Sequence, residues 1–166
     1  MDVSKHAGLS TRQFYEEYNT LEDLLADLHL YVNDLVERRV IEEIEAVECL
    51  SHADRLARLV HAYIDAVTRD PRYVRILFVE IVGVGEQLDQ QRLQRRSRWI
   101  ELCVGLFEDA LRRGYIEQFD FRLAAAAFIG AINGLMHDWA VGWIDATGEQ
   151  IADELCRMMA GRLKME

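Results

Sequence analysis

Three polar residues interrupt runs that are otherwise apolar: Glu80 in LFVEIVG, Asn133 in GAINGLM and His137 in MHDW. Inside a core, each would need a hydrogen-bond partner. A bond to a neighbouring helix would satisfy any one of them. Three such residues on three apolar segments exceed what packing needs, and as a group they would orient a ligand in a mostly apolar cavity. Tyr63, Phe78, Trp99 and Phe107 are aromatic candidates for its walls. Most of the other aromatics, among them Tyr73, Phe128, Trp139 and Trp143, are expected to be core. This is the chemistry of binding and not of catalysis. The chain has no H-E-x-x-H, no Glu-x-x-His pair and no glycine loop for phosphate, and no cysteine has a histidine at a telling spacing. His137 and Asp138 are adjacent and form no acid–base pair by sequence. No catalytic residue, metal ligand or cofactor follows from these residues.

A second stretch raises a different chemistry. HAGLSTRQFYEEYNTLEDLL, from His6 to Leu25, reads as two short helices joined by a glycine turn, then the start of a third. A unit of this kind can read DNA. Yet Glu16, Glu17, Glu22 and Asp23 stand there against Arg12, with Lys5 just upstream. The whole chain is acidic as well, with 29 Asp and Glu against 19 Lys and Arg and a formal net charge of −10. That balance argues against a globally basic nucleic-acid coat and leaves room for a local basic patch. The run RLQRRSR, Arg92 to Arg98, reads as a solvated helix face.

The elements that must position these groups are helices. Ser10 with Gln13 forms a capping box, and Thr20 with Asp23 a weaker one. From Leu21 to Val47, apolar residues recur at steps of three and four, which predicts one long helix of about seven turns. Ser51 and Asp54 open the next helix, and Asp70-Pro71 starts a short apolar one. Helices follow from about Glu86 to Arg113, from Phe121 to about Gly142 and from Thr147 to about Leu163. The fold class expected is all-α. Ala126, Gly130 and Gly134 fall at steps of four and would let another helix approach closely. The longest apolar run, Leu123 to Met136, is shorter than the ~18 residues of a membrane span, and Asn133 interrupts it. Cys49, Cys103 and Cys156 are an odd, scattered set without a signal peptide, which predicts reduced thiols in a cytoplasmic protein.

VSKHAGLSTRQFYEEYNTLEDLL resembles the reading head of the tetracycline-repressor (TetR) family of bacterial regulators. Val3, Ala7, Gly8, Leu9, Ser10, Phe14, Tyr15, Tyr18, Thr20, Leu24 and Leu25 stand at the matching places. The resemblance implies a helix-turn-helix with Gly8-Leu9-Ser10 as its turn and Thr11 to Tyr18 as the recognition helix. It implies that Thr11, Arg12, Gln13 and Tyr15 reach bases or phosphates, that Arg12 suits guanine and Gln13 adenine, and that Lys5, Ser10 and Thr20 lie at phosphates. Gln13 has the capping box as a competing use. The family's head has three helices, and the match holds only two, so the first is expected to be missing. Residues 1–48 would then be a truncated head with its linking helix. Residues 49–166 would be a helical effector-binding and dimerisation body.

The function implied is that of a ligand-responsive repressor acting as a homodimer through 121–142 and 147–163. Its partners would be operator DNA and a small hydrophobic or amphipathic effector that moves the two heads out of operator spacing. The competing expectation is a helical dimer that binds a ligand or a protein and has lost DNA binding.

Overall fold

The computed structural model describes residues 3–47 and 50–160. Glu48, Cys49 and the end of the expected last helix, 161–163, lie outside the described residues. Within them the chain forms helices α1 (Val3–His6), α2 (Thr11–Glu17), α3 (Leu21–Ala46), α4 (His52–Thr68), α5 (Pro71–Arg75), α6 (Glu86–Arg112), α7 (Phe121–Ala140) and α8 (Gly148–Ala160). No strand occurs among the described residues.

The starts are set by side-chain caps. Ser10 and Thr20 both form complete capping boxes, with Gln13 and Asp23 respectively. Ser51 accepts from the Asp54 amide, Asp70 from Arg72 and Asp120 from Leu123. Each cap satisfies a backbone N–H that the first helical turn leaves unpaired. α6 stops at Gly114, whose φ of 79° lets the Tyr115 amide turn back onto the Ala110 carbonyl at 3.0 Å.

One expected element differs. The helix after Pro71 does not stay regular. α5 widens into a π-helical turn over Ile76–Glu80, and the chain then turns through Gly83. Leu77, Phe78 and Ile81 are buried there, while Glu80 faces outward.

Among the described residues the body has one large core cluster and two smaller ones, around Ile81 and around Val40. Val32 and Val36 of α3 meet Val60, Ile64 and Val67 of α4, and Phe128, Ile132 and Met136 of α7 meet Leu155 and Met159 of α8. α4 packs on α3 and α8, α6 on α7, and α7 on α8. α1 and α2 pack on each other, and no described residue of theirs joins the body's core. No helix among the described residues is long and apolar enough to cross a membrane.

Candidate functional site

The two short helices make a tight corner. Gly8 has φ 71°, in the region where a side chain is strained, and the Leu9 amide reaches the Ser4 carbonyl at 2.8 Å. α2 then presents Thr11, Arg12 and Tyr15 to solvent, with Lys5 exposed on α1. Phe14 is buried and meets Tyr15 edge-on at 5.2 Å and Tyr18 at 5.8 Å. Tyr15 therefore projects outward, while Tyr18 is half-buried in the head. Burial, then the charge and hydrogen bond of Asp27, raise the Tyr18 phenol above its ordinary value.

Several of these groups are already engaged. Gln13 Oε1 accepts from the Ser10 amide at 2.9 Å and from the Ser10 hydroxyl at 3.0 Å. Thr20 Oγ1 accepts from the Asp23 amide at 3.1 Å. Arg12, 89% exposed, pairs with Glu16 at 3.0 Å. Such an exposed pair is worth little and releases readily.

Two neighbouring cavities with shared wall residues occupy the body. The first has a volume of about 100 Å³ and is almost wholly apolar. Tyr63, Trp99, Leu102, Cys103, Leu106 and Phe107 are among its walls. Tyr63 meets Trp99 edge-on at 5.1 Å, and Phe107 stacks against Phe119 and Phe121 at 5.6 and 5.9 Å. Burial pushes the Cys103 thiol up to about 12, so it stays neutral and is no nucleophile. Burial and then Cys103 raise the Tyr63 phenol. The charged groups at the wall are Arg55 and Asp109, paired with each other at 3.3 Å.

The second cavity has a volume of about 280 Å³ and a mixed lining, more polar than that of the first. It shares Tyr63, Trp99 and Ile129 with the first. Arg92, Arg95 and Arg96 line it from α6, His29 and Asn33 from α3, Phe78 from the π turn, and Asn133 and His137 from α7. A hydrogen-bonded chain ties α3 to α6. Trp99 Nε1 donates to Asn33 Oδ1 at 3.4 Å, and Asn33 Nδ2 lies 3.2 Å from His29 Nε2. Gln91 Nε2 lies 3.0 Å from His29 Nδ1 and donates to the Ala26 carbonyl at 2.9 Å. His29 is pushed down to about 4 by burial, then by Arg95 and Arg92, and is neutral at pH 7. His137 Nδ1 lies 3.1 Å from Asp138 Oδ1.

Six of the seven residues expected at a ligand are thus brought together: Tyr63 and Trp99 at both cavities, Phe107 at the first, and Phe78, Asn133 and His137 at the second. Glu80 is not. It is 47% exposed and accepts from Arg75 Nε at 2.9 Å, five positions back. That i, i+5 spacing belongs to the π turn, which buries Leu77, Phe78 and Ile81 and turns Glu80 to solvent. The expectation of a solvated face for Arg92 to Arg98 also needs correction, because three of its four arginines line the second cavity. Their spacing held the signal. Positions 92, 95, 96 and 99 share one helix face, and Trp99 is at its end. His29 and Asn33, four apart on α3, were missed for the same reason. They look like ordinary polar positions until α6 covers them.

Residues 49–163 match the family model for the tetracyclin repressor-like C-terminal domain, and the chain belongs to that family. Its fold is that of solved regulators. It is similar to FadR from Bacillus subtilis in complex with stearoyl-CoA, at 18% identity, 94% of this chain, 83% of that chain and a TM-score of 0.79. FadR from Bacillus halodurans, a fatty acid degradation regulator, matches at 19% identity over 95% of this chain and 81% of that one, with a TM-score of 0.80. AibR, solved with isovaleryl coenzyme A and operator DNA, matches at 22% identity over 95% and 86%, with a TM-score of 0.69. A comparison with curated protein sequences returned no match.

Proposed function

We propose that this chain is a ligand-responsive transcriptional repressor that binds operator DNA as a homodimer and releases it when an acyl-type amphipathic effector enters the body. Residues 1–48 serve as the reading head with its linking helix, and residues 49–166 as the effector and dimerisation body. One observation carries the reading. α3 starts at the Thr20 cap directly after the recognition helix, and its residues His29, Asn33 and Val40 line the two cavities. A ligand in the cavities therefore acts on the helix that directly follows the recognition helix. A ligand that favours one placement of α3 shifts the heads, and DNA must oppose that ligand by the same free energy.

The apolar cavity suits a hydrocarbon chain, and its more polar neighbour suits a charged end. Relatives solved with stearoyl-CoA and isovaleryl coenzyme A support an acyl thioester as the first ligand to test. The test is operator affinity of the full-length protein with and without saturating palmitoyl-CoA. The expected result is a loss of about 5–150-fold, the ordinary range of such coupling. An unchanged affinity for a demonstrably bound ligand would refute the mechanism.

The acidic head favours a second reading, a ligand-binding dimer without DNA. Glu16 and Glu17 lie exposed on α2, and Arg12 is turned onto Glu16. That reading wins if the full-length protein retains no operator sequence above non-specific background at low salt, where phosphate contacts are strongest.

A further inference from the structure

The second cavity has a charge that the rest of the molecule does not. The chain carries a net charge of −10, yet three arginines and no carboxylate line this space. His29 is neutral there and does not add to the charge of the arginines. Two of the guanidinium groups are poorly served. Arg92 Nε is buried with no hydrogen-bond partner, and the nearest carboxylate oxygen of Asp89 stands 3.6 Å from Arg92 Nη2. Arg96 donates to the Ala126 carbonyl at 3.2 Å and has no carboxylate partner among the described residues. A buried charged donor left unpaired is costly, and an anionic ligand oxygen would satisfy it.

Arg95 is different, because its partners belong to the head-bearing helix. Its side chain is 20% exposed, with Nη2 2.8 Å from Asp34 and Nη1 3.6 Å from Glu37. Both acids can lose Arg95 at small cost. Glu37 keeps Arg98, whose Nε donates to its two oxygens at 2.7 and 2.8 Å, and Asp34 is half exposed to water.

We propose that the basic cavity is a binding site for the anionic end of the effector, a carboxylate or a phosphate, and that Arg95 exchanges between that anion and Asp34 and Glu37 of α3. The ligand's apolar part passes Trp99 and Tyr63 into the first cavity. The planar guanidinium forks of Arg92 and Arg96 hold the anion. When Arg95 turns to it, α3 loses one of its ties to α6. Occupancy is thereby read by the helix that carries the head. This inference rests on taking the two neighbouring cavities as the effector site.

The test uses the full chain without DNA, titrated calorimetrically with dodecyl phosphate, dodecanoate and dodecanol. The two anions are expected to bind at least about tenfold more tightly than the alcohol, and the better of the two identifies the headgroup. Arg92→Gln and Arg96→Gln should each weaken anion binding about tenfold and leave dodecanol unchanged. Glu37→Gln should strengthen it, because the substitution removes a competitor for Arg95. Arginines with only a structural role would give the same sign for both kinds of variant. Equal binding of all three ligands overturns the proposal, as does a Glu37→Gln protein that binds anions more weakly. With no DNA in the experiment, its failure leaves the repressor reading standing. Failure of the operator measurement leaves the anion site standing.

Discussion

His29 is where the buried polarity of α3 meets α6, and it makes the protein's stability depend on pH. Both ring nitrogens face amide groups, from Asn33 and Gln91, and the ring is almost wholly inaccessible to water. Burial, reinforced by Arg95 and Arg92, lowers its pKa from 6.5 to about 4. The folded protein therefore binds this proton less readily than the unfolded chain. The stability it contributes is full above pH 6.5 and is lost as the pH falls toward about 4, where the loss levels off. Unfolding free energies from urea titrations between pH 7.5 and 4.5 should drop with a slope of up to ~1.4 kcal/mol per pH unit from this one site. His29→Gln should flatten that slope, and an equal slope in the variant would assign it to other groups. Little of this was legible in the sequence. His29 lies in ADLHLYVN, and its burial depends on Gln91, sixty-two positions away. Asn133 and His137 were legible because they interrupt an apolar run on their own helix.

At the scale of elements, the long helix α3 is pinned to α4 by a buried carboxylate. Glu43 is 3% exposed, and it accepts from Arg58 of α4 at Nε, 2.8 Å away, and also pairs with Arg39 at 2.9 Å. Burial alone would raise the Glu43 carboxyl. The hydrogen bonds and charges of Arg58 and then Arg39 outweigh it and hold the pKa below the ordinary value. The stabilisation is present above pH ~4.3, the unfolded value, and is lost as the pH falls through the lower folded one. This window lies largely below that of His29. Glu43→Gln keeps the size and removes the charge, and should cost about 1–3 kcal/mol at pH 7 and less in acid. Chemical denaturation at pH 7 and pH 3.5 measures both, and a pH-independent cost would mean that packing and not charge is at stake. Helix starts were the most legible feature at this scale, because Ser10, Thr20, Ser51, Asp70 and Asp120 act within three residues of themselves. The π turn was not legible. Its five-residue hydrogen bonding leaves no mark in an apolar run, and Glu80 was placed at a ligand only because it interrupts that run.

The whole molecule leaves one face of α7 without a use in the single chain. Leu123 is 68% exposed, and Ala127, Gly130 and Gly134 follow it along the helix at steps of four, three and four, all exposed, whereas Ala126, expected on this stripe, is half-buried against the core. Trp143, just beyond the helix, is 80% exposed, and Met158 on α8 is exposed as well. A side chain added at Gly130 or Gly134 would meet nothing within 4 Å. Gly134 also borders the second cavity, but nothing in the chain itself requires Gly130 to be small. A second copy packed on α7 and α8 would require it, because small residues let two helices approach closely. This separates folding from assembly in one experiment. Gly130→Glu puts a longer side chain into open space and replaces a poor helix former, so the monomer should gain up to about 1 kcal/mol. In a dimer across this face, the same change buries two carboxylates against each other. Light scattering on the native protein should show a dimer and on the variant a monomer, with helical circular dichroism unchanged. If Gly130→Glu remains a dimer of the same dissociation constant, the two copies meet elsewhere, and the exposed Leu123 and Trp143 need another occupant.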